Sequence, residues 1–141
     1  MNDPGELDVM LETGATTTAL VYPADRSSGK GAVRHLDAAL ILAHGAGAGQ
    51  RSAFMAGFAR ALASLGVDAV TFNFLYTEQR RRMPDRAPRL QACYRAVIDV
   101  VRERVESARR FLFIGGKSMG GRIATHVAAD DRSLPIAGVV L

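Results

Sequence analysis

The sequence predicts an α/β fold in which a doubly wound, mainly parallel sheet is covered by helices. Three observations support this prediction. Strand-like and helix-like segments alternate along the chain. The segment Ala38–Ala43 is apolar at every position, which is typical of a parallel strand covered on both faces. Glycine-rich turns, His44–Gly49 and Gly115–Gly121, each connect a strand to a helix.

Length and composition predict a single domain over residues 1–141. Of its residues, 48% are hydrophobic and 23% are charged, as in ordinary globular proteins. No apolar stretch approaches the ~18 residues that would cross a membrane, and the N-terminus lacks the apolar core of a signal peptide. The single cysteine, Cys93, excludes an internal disulfide and is expected to be a core thiol. We therefore predict a cytoplasmic protein without a membrane partner.

The net charge of +4 and the pI of about 9.8 raise the question of nucleic-acid binding. The basic residues are concentrated in one loop and near the end of one helix: Arg80, Arg81, Arg82, Arg86, Arg89, Arg102, Arg104, Arg109 and Arg110. No aromatic residues are interleaved with them, as a single-strand binding surface would require. We expect a solvated surface and no nucleic-acid partner.

The first half of the chain predicts a hairpin followed by a strand–helix–strand unit. Leu7–Glu12 and Thr16–Tyr22 have the pattern of paired strands at a sheet edge, and Pro23–Val33 that of a polar loop. After the strand at residues 38–43, Arg51–Leu65 is predicted to be helical, with one apolar face that contains Phe54, Met55, Phe58, Leu62 and Leu65. Val67–Leu75 is the next strand.

The second half predicts two further helices and two strands. A polar loop, Tyr76–Ala87, precedes a helix from Pro88 to about Arg109, whose inner face contains Leu90, Tyr94, Val97, Val101 and Val105. Phe111–Ile114 is a short buried strand. Met119–Ala129 is a helix with Ile123 and Val127 directed inward, and Ile136–Leu141 begins a sixth strand.

The strongest functional signal is Ser118, in the sequence Gly-Gly-Lys-Ser-Met-Gly-Gly between a strand and a helix. A serine on such a sharp turn has a strained backbone and presents its hydroxyl at the carboxyl edge of the sheet. The residues two before and two after it must be small, and Gly116 and Gly120 meet that requirement. This arrangement predicts a catalytic nucleophile.

Two other interpretations of this turn are available. The first is a tight glycine turn that contains a serine without a catalytic role. The second is a phosphate-binding loop, because Gly116-Lys117-Ser118 resembles the end of that motif. A phosphate-binding loop requires an earlier glycine at position 111, which is Phe111. The second interpretation is therefore excluded.

The turn His44–Gly49 is the predicted partner of the serine. Acyl transfer requires two N–H donors directed at the developing oxyanion, one from the residue after the nucleophile and one from an earlier loop. We expect Met119 to supply the first donor, and Ala46, or else Gly47, to supply the second. Gly45 and His44 are expected to support the loop.

His44 is more typical of a structural residue that holds the loop through side-chain hydrogen bonds than of a catalytic base. A dinucleotide site is the competing interpretation of the loop. It would need glycine at position 50, which is Gln50, and an acidic residue at the end of the next strand, where Asn73-Phe74-Leu75 stands. The sequence meets neither requirement.

Three segments, Leu42–Gly49, Phe72–Tyr76 and Gly115–Arg122, resemble α/β-hydrolases related to dienelactone hydrolase. The resemblance covers about residues 15–141. Within these hydrolases, the three segments most resemble the group that contains the testis-expressed hydrolase-like protein and the non-specific-lethal complex subunit. It implies an α/β-hydrolase fold, Ser118 as the nucleophile and the His44 loop as the oxyanion hole. One departure is Leu75, where that group usually has proline.

In this fold the nucleophile is followed along the chain by an acid and then by a histidine. After Ser118 the sequence offers only His126, about 12 Å along the same helix, and two acids near that helix's end, Asp130 and Asp131. His35 precedes the strand at residues 38–43 and is expected at the opposite edge of the sheet from Ser118. We therefore expect an N-terminal portion of a longer hydrolase, truncated after about the sixth strand and incomplete or inactive alone.

The predicted function is that of a serine hydrolase that cleaves an ester or related acyl bond of a small molecule through an acyl-Ser118 intermediate. No metal or organic cofactor is implied, because the histidines and the cysteine lack ligand spacing. The alternative is a non-catalytic α/β-hydrolase-like scaffold for protein interactions. A complete protein without catalysis would leave residues 136–141 as an unprotected edge strand.

Overall fold

The structure is a computed structural model that describes residues 3–25 and 36–141. Its centre is a six-stranded sheet in the order β1-β2-β4-β3-β5-β6. The first two strands pair antiparallel, as does β2 with β4, and the remaining neighbours are parallel. The strands are β1 Gly5–Met10, β2 Thr16–Tyr22, β3 Ala38–Ala43, β4 Asp68–Phe72, β5 Phe111–Gly116 and β6 Gly138–Val140.

Helices follow the inner strands and cover both faces of this sheet, which confirms the predicted α/β class. The helices are α1 Ala53–Ser64, α2 Leu75–Glu78, α3 Ala87–Arg104 and α4 Met119–Asp130, with a 3-10 turn at Glu106–Arg109. Alternate residues of β3 face opposite layers: Leu40 and Leu42 pack with α1, whereas Ile41 packs in the cluster that contains α3 and α4. All of β3 is buried, as predicted.

Two boundaries differ from the predicted ones. The strand predicted to reach Leu75 ends at Phe72, because the chain turns there into the short helix α2. Leu75 is the first residue of α2, a position that also suits proline because its N–H needs no partner in the helix. The helix predicted to reach Arg109 ends at Arg104, since Val105 adopts an extended conformation before the 3-10 turn.

The predicted inner face of α1 was only partly right. Met55 is buried as expected, and Ala59 and Ala63 complete the face that contacts the sheet. Phe54, Phe58 and Leu65 are exposed by 50%, 42% and 55%. The helix is therefore rotated so that small residues approach the strands, and its large aromatic residues lie on the flank.

The inner faces of the other helices were predicted correctly. Leu90, Tyr94, Val97 and Val101 of α3 are buried, as are Ile123 and Val127 of α4. Cys93 is a buried free thiol, and burial raises its pKa to about 12. Within residues 3–25 and 36–141, none of the helices is long and apolar enough to cross a membrane. His35 and most of the predicted loop Pro23–Val33 lie outside the described residues.

Candidate active site

Ser118 occupies the turn between β5 and α4 in an unusual backbone conformation. Its φ is 54° and its ψ is −114°, and the residue is exposed. A side-chain-bearing residue in such a region costs on the order of 1–3 kcal/mol and persists only where the surroundings impose it. The turn therefore presents the hydroxyl to solvent at the carboxyl edge of the sheet.

Two glycines allow the chain to turn so sharply at this point. A Cβ at Gly116 would lie 2.6 Å from the Ala43 carbonyl oxygen and 2.5 Å from the Gly120 carbonyl carbon. A Cβ at Gly120 would lie 2.6 Å from the His44 carbonyl oxygen. Because all these neighbours are backbone atoms, the end of β3, the turn and α4 are in contact only if both residues lack a side chain. The N–H of Lys117 completes the contact by donating to the Ala43 carbonyl at 2.9 Å.

Tyr94 of α3 supports the turn from inside the core. Its hydroxyl lies 2.7 Å from the Gly115 carbonyl oxygen and 3.0 Å from that of Ile41, and it accepts from the Gly115 N–H at 3.0 Å. The residue is fully buried, so these backbone groups have no access to bulk water. The hydroxyl therefore joins β3 to β5 at the point where the chain leaves the sheet toward Ser118.

His44 fixes the beginning of the neighbouring loop, His44–Gly49. Its ring is fully buried, with Nδ1 2.7 Å from the Gly45 carbonyl oxygen and Nε2 accepting from the Phe74 N–H at 3.1 Å. These partners require a neutral ring that is protonated on Nδ1, which donates to the carbonyl. Burial lowers the pKa of His44, and the hydrogen bond to Gly45 opposes that effect.

This lowered pKa predicts a pH dependence of stability. The unfolded chain binds a proton at His44 below its ordinary pKa of 6.5, whereas the folded protein resists protonation until a lower pH. The resulting contribution to stability is fully present above pH 6.5 and is lost as the pH falls toward the folded-state pKa.

We expect the free energy of unfolding of the wild-type protein to exceed that of His44→Asn by more at about pH 7.5 than at about pH 5.5. Urea titrations at the two pH values measure this difference. Parallel pH dependence of the two proteins would contradict the assignment of a neutral His44.

The other end of the loop is held by a polar network beneath it. The N–H of Gln50 donates to Asn73 Oδ1 at 3.0 Å, and Asn73 Nδ2 donates to Glu78 Oε1 at 3.1 Å. The Gln50 side chain donates to the Thr18 carbonyl at 3.0 Å and accepts from Thr71 at 2.9 Å. The loop is thus anchored to the ends of β2 and β4.

The loop contacts the serine turn directly. A Cβ at Gly45 would lie 3.4 Å from the Lys117 carbonyl oxygen and 3.6 Å from Ser118 Cβ. Ala46, Gly47 and Ala48 are exposed. The structure therefore places the loop and Ser118 side by side at one edge of the sheet.

Two charged side chains lie near the turn and give its surroundings a positive potential. The Lys117 ammonium lies 4.4 Å from the ring centre of Phe54, and Arg122 is exposed one turn into α4. The positive end of the α4 dipole adds to their field. In the described part of the chain, no group of three or more His, Cys, Asp or Glu side chains is arranged to hold a metal ion.

The described residues offer Ser118 no histidine as a proton acceptor. Both ring nitrogens of His44 are already engaged by backbone groups. His126 is exposed on α4, about 12 Å along the helix axis from the serine. Asp130 and Asp131 lie at the far end of the same helix.

Sequence reasoning overlooked the residues that hold the site from below, above all Tyr94, Asn73 and Tyr76. A usable signal existed for Tyr94, since a tyrosine on an apolar helix face must find a partner for its hydroxyl. Asn73 directly follows a buried strand, where a polar residue needs a specific reason. Neither signal identifies the partners in the neighbouring segments. Tyr94 bonds to backbone groups 21 and 53 residues away, and Asn73 accepts from the Gln50 N–H, 23 residues away.

A family model described as "Alpha/beta hydrolase domain" matches residues 36–141. No curated protein has a significant sequence match to the chain. Solved structures do match. The serine hydrolase XC6422 from Xanthomonas campestris, described as lacking a lid, has a TM-score of 0.74 at 22% identity over 92% of this chain and 57% of its own.

Two further structures give similar values. An alpha-beta serine hydrolase homologue from Coxiella burnetii has a TM-score of 0.74 at 18% identity, covering 99% of this chain and 62% of its own. Est1E from Butyrivibrio proteoclasticus has a TM-score of 0.74 at 15% identity, covering 96% and 49%. At these identities the likeness establishes the fold. The chain spans about half to three-fifths of the length of these proteins.

Proposed function

Because the chain belongs to the α/β-hydrolase domain family, we propose that it carries the nucleophile of a serine hydrolase acting on an ester or related acyl bond. The observation that carries this proposal is the backbone of Ser118, with φ 54° at a strand-to-helix turn enclosed by two glycines. Strained backbone conformations of this kind cluster at active sites, where the surrounding structure imposes them. The structure supports the proposal through the loop that lies against the same turn.

In the proposed reaction, Ser118 Oγ attacks the carbonyl carbon of the substrate while its proton passes to a general base. The carbonyl oxygen becomes an oxyanion, which the N–H groups of Met119 and Ala46 stabilise, with Gly47 as the alternative to Ala46. Collapse of this intermediate expels the alcohol and leaves an acyl-Ser118 ester. Water then attacks that ester, releasing the acid and restoring the serine.

The N–H groups of the proposed oxyanion donors are available. Among the described residues, none accepts a hydrogen bond from the backbone N–H of Met119, Ala46 or Gly47. Met119 is the first residue of α4, where such a group has no partner within the helix. The positive end of the α4 dipole favours negative charge at the same point.

The general base and its supporting acid are proposed to come from outside the described residues, since these offer Ser118 no unengaged histidine within reach. Within the α/β-hydrolases, we propose that the chain belongs with those related to dienelactone hydrolase, in the group of the testis-expressed hydrolase-like protein. Small-molecule esters are the proposed substrates. The single buried thiol, Cys93, is consistent with the proposed cytoplasmic location.

Covalent labelling tests the proposal. We expect a fluorophosphonate probe to label the protein, in its full natural length, and Ser118→Ala to abolish the labelling. Ser64→Ala is the matched control, because Ser64 is an exposed serine at the end of α1. Labelling that persists in folded Ser118→Ala, or its absence from folded wild type, would contradict the proposal; the second result would favour the interaction scaffold.

A further inference from the structure

We propose that Tyr76 is a positioning residue for the loop His44–Gly49. Its hydroxyl orients the Ala46–Gly47 peptide so that the Gly47 N–H faces the reacting carbonyl of the substrate. This inference rests on the proposed hydrolase function, with Gly47 in place of Ala46 as the second oxyanion donor, and adds a residue to it. Tyr76 lies on α2, directly after β4, and its ring is buried under the loop with 2% of its surface exposed. The hydroxyl donates to the Ala46 carbonyl oxygen at 3.3 Å.

Peptide geometry turns this hydrogen bond into an orientation. The peptide bonds of the described residues are all trans, so the C=O and N–H of each unit point in opposite directions. The Ala46 carbonyl is directed down to Tyr76, and the Gly47 N–H of the same unit is therefore directed away from the buried ring. The Gly45 carbonyl is held in the same way by His44, which directs the Ala46 N–H away from its own ring.

The two rings form one platform under the loop. The ring centres of His44 and Tyr76 are 6.1 Å apart at an interplanar angle of 66°, and Phe74 packs edge-on against His44 at 5.1 Å. Consecutive carbonyls, those of Gly45 and Ala46, thus point to the same side. The N–H groups of Ala46 and Gly47 therefore point to the opposite side of the loop, where both residues are exposed. The loop contacts the Ser118 turn at the neighbouring Gly45.

The hydrogen bond from Tyr76 is not explained by a need of the Ala46 carbonyl for a partner inside the protein. Ala46 is an exposed residue, so in another orientation of the peptide water could bond to its carbonyl without Tyr76. What the hydroxyl adds is direction, because water imposes no fixed orientation on the peptide. Burial raises the pKa of Tyr76, so the phenol stays protonated and remains a donor over the pH range of ester hydrolysis.

The test is Tyr76→Phe in the protein at its full natural length, since phenylalanine keeps the ring packing and removes only the hydroxyl. We expect kcat for p-nitrophenyl acetate to fall about tenfold with KM unchanged, less than the loss on removing an oxyanion donor outright. The affinity for phenylboronic acid, which mimics the tetrahedral intermediate, should fall by a similar factor. Tyr22→Phe, a buried tyrosine of β2, is the matched control and should change neither value.

An unchanged kcat, or a rise in KM alone, would overturn the inference while leaving the proposed function intact. Residual dipolar couplings of the Gly47 N–H provide a readout that does not depend on turnover. Reorientation of this bond in Tyr76→Phe, with the couplings of α3 unchanged, supports the inference, and an unchanged bond direction overturns it. If the wild-type protein hydrolyses no ester, the proposed function fails by that result and the couplings still decide the role of Tyr76.

Discussion

Replacing Ser118 with alanine is expected to reduce kcat for p-nitrophenyl acetate by roughly 10⁴- to 10⁶-fold in the protein at its full natural length. The loss is large because, in the proposed mechanism, Ser118 is the group that forms the covalent intermediate. A residual rate above that in water would remain, since the proposed oxyanion donors are unchanged. Initial-rate kinetics with the purified variant measure the effect.

The interpretation of this result depends on the fold of the variant. Alanine carries a Cβ as serine does, so at a φ of 54° the two residues have a similar backbone strain. The circular dichroism and urea midpoint of the variant should therefore match those of the wild type. Ser64→Ala, which alters an exposed serine on α1, should retain full activity. A folded Ser118→Ala that keeps more than a tenth of wild-type kcat would contradict the proposed nucleophile.

The second large effect is expected from Gly120→Ala. The added Cβ would lie 2.6 Å from the His44 carbonyl oxygen and equally close to the Ala43 carbonyl carbon, and backbone cannot move aside as a flexible side chain can. We expect the free energy of unfolding to fall by at least about 3 kcal/mol, at the upper end of the effects of overpacking. Ester hydrolysis should be lost as well, because α4 and the Met119 N–H would be displaced from the loop.

Gly57→Ala is the matched control for this substitution. Gly57 lies in the middle of α1 with open space around its Cβ position. Alanine there should raise the free energy of unfolding by about 0.5–1 kcal/mol, because glycine is unfavourable inside a helix. Urea denaturation of both variants compares the two effects. A Gly120→Ala protein as stable as the wild type would show that the close contact between β3 and α4 is not required.

Much of the fold could be predicted because burial in a parallel sheet leaves a clear pattern. The run Ala38–Ala43 is apolar throughout, and the structure buries all of it between two helical layers. The prediction for α1 was less accurate, since it assigned the largest side chains to the core. Ala59 and Ala63 face the sheet instead, because a helix packs closest where its residues are small, and periodicity alone cannot separate such a face from a neighbouring aromatic one.

The local sequence predicted the geometry of the serine turn. It could not predict the contacts between residues that are distant in the sequence. Gly116 and Gly120 are required by contacts within a few residues of Ser118 and with the adjacent strand. Two tyrosines support the site from below. Tyr94 bonds to backbone groups 21 and 53 residues away, and Tyr76 bonds to one 30 residues away. Such contacts depend on which strands become neighbours, and this order is decided by the whole sheet.

Trapping the covalent intermediate during turnover tests directly whether Ser118 is the nucleophile. The full-length protein is mixed with p-nitrophenyl butyrate, quenched in acid within milliseconds to seconds, and cleaved at arginine. This releases Phe111–Arg122, in which Ser118 is the sole hydroxyl-bearing side chain. We expect mass spectrometry to find one butyryl group on this peptide from the wild type and none on the corresponding peptide from Ser118→Ala. Turnover with this peptide unmodified and the acyl group on another residue would contradict the assignment of Ser118 as the nucleophile.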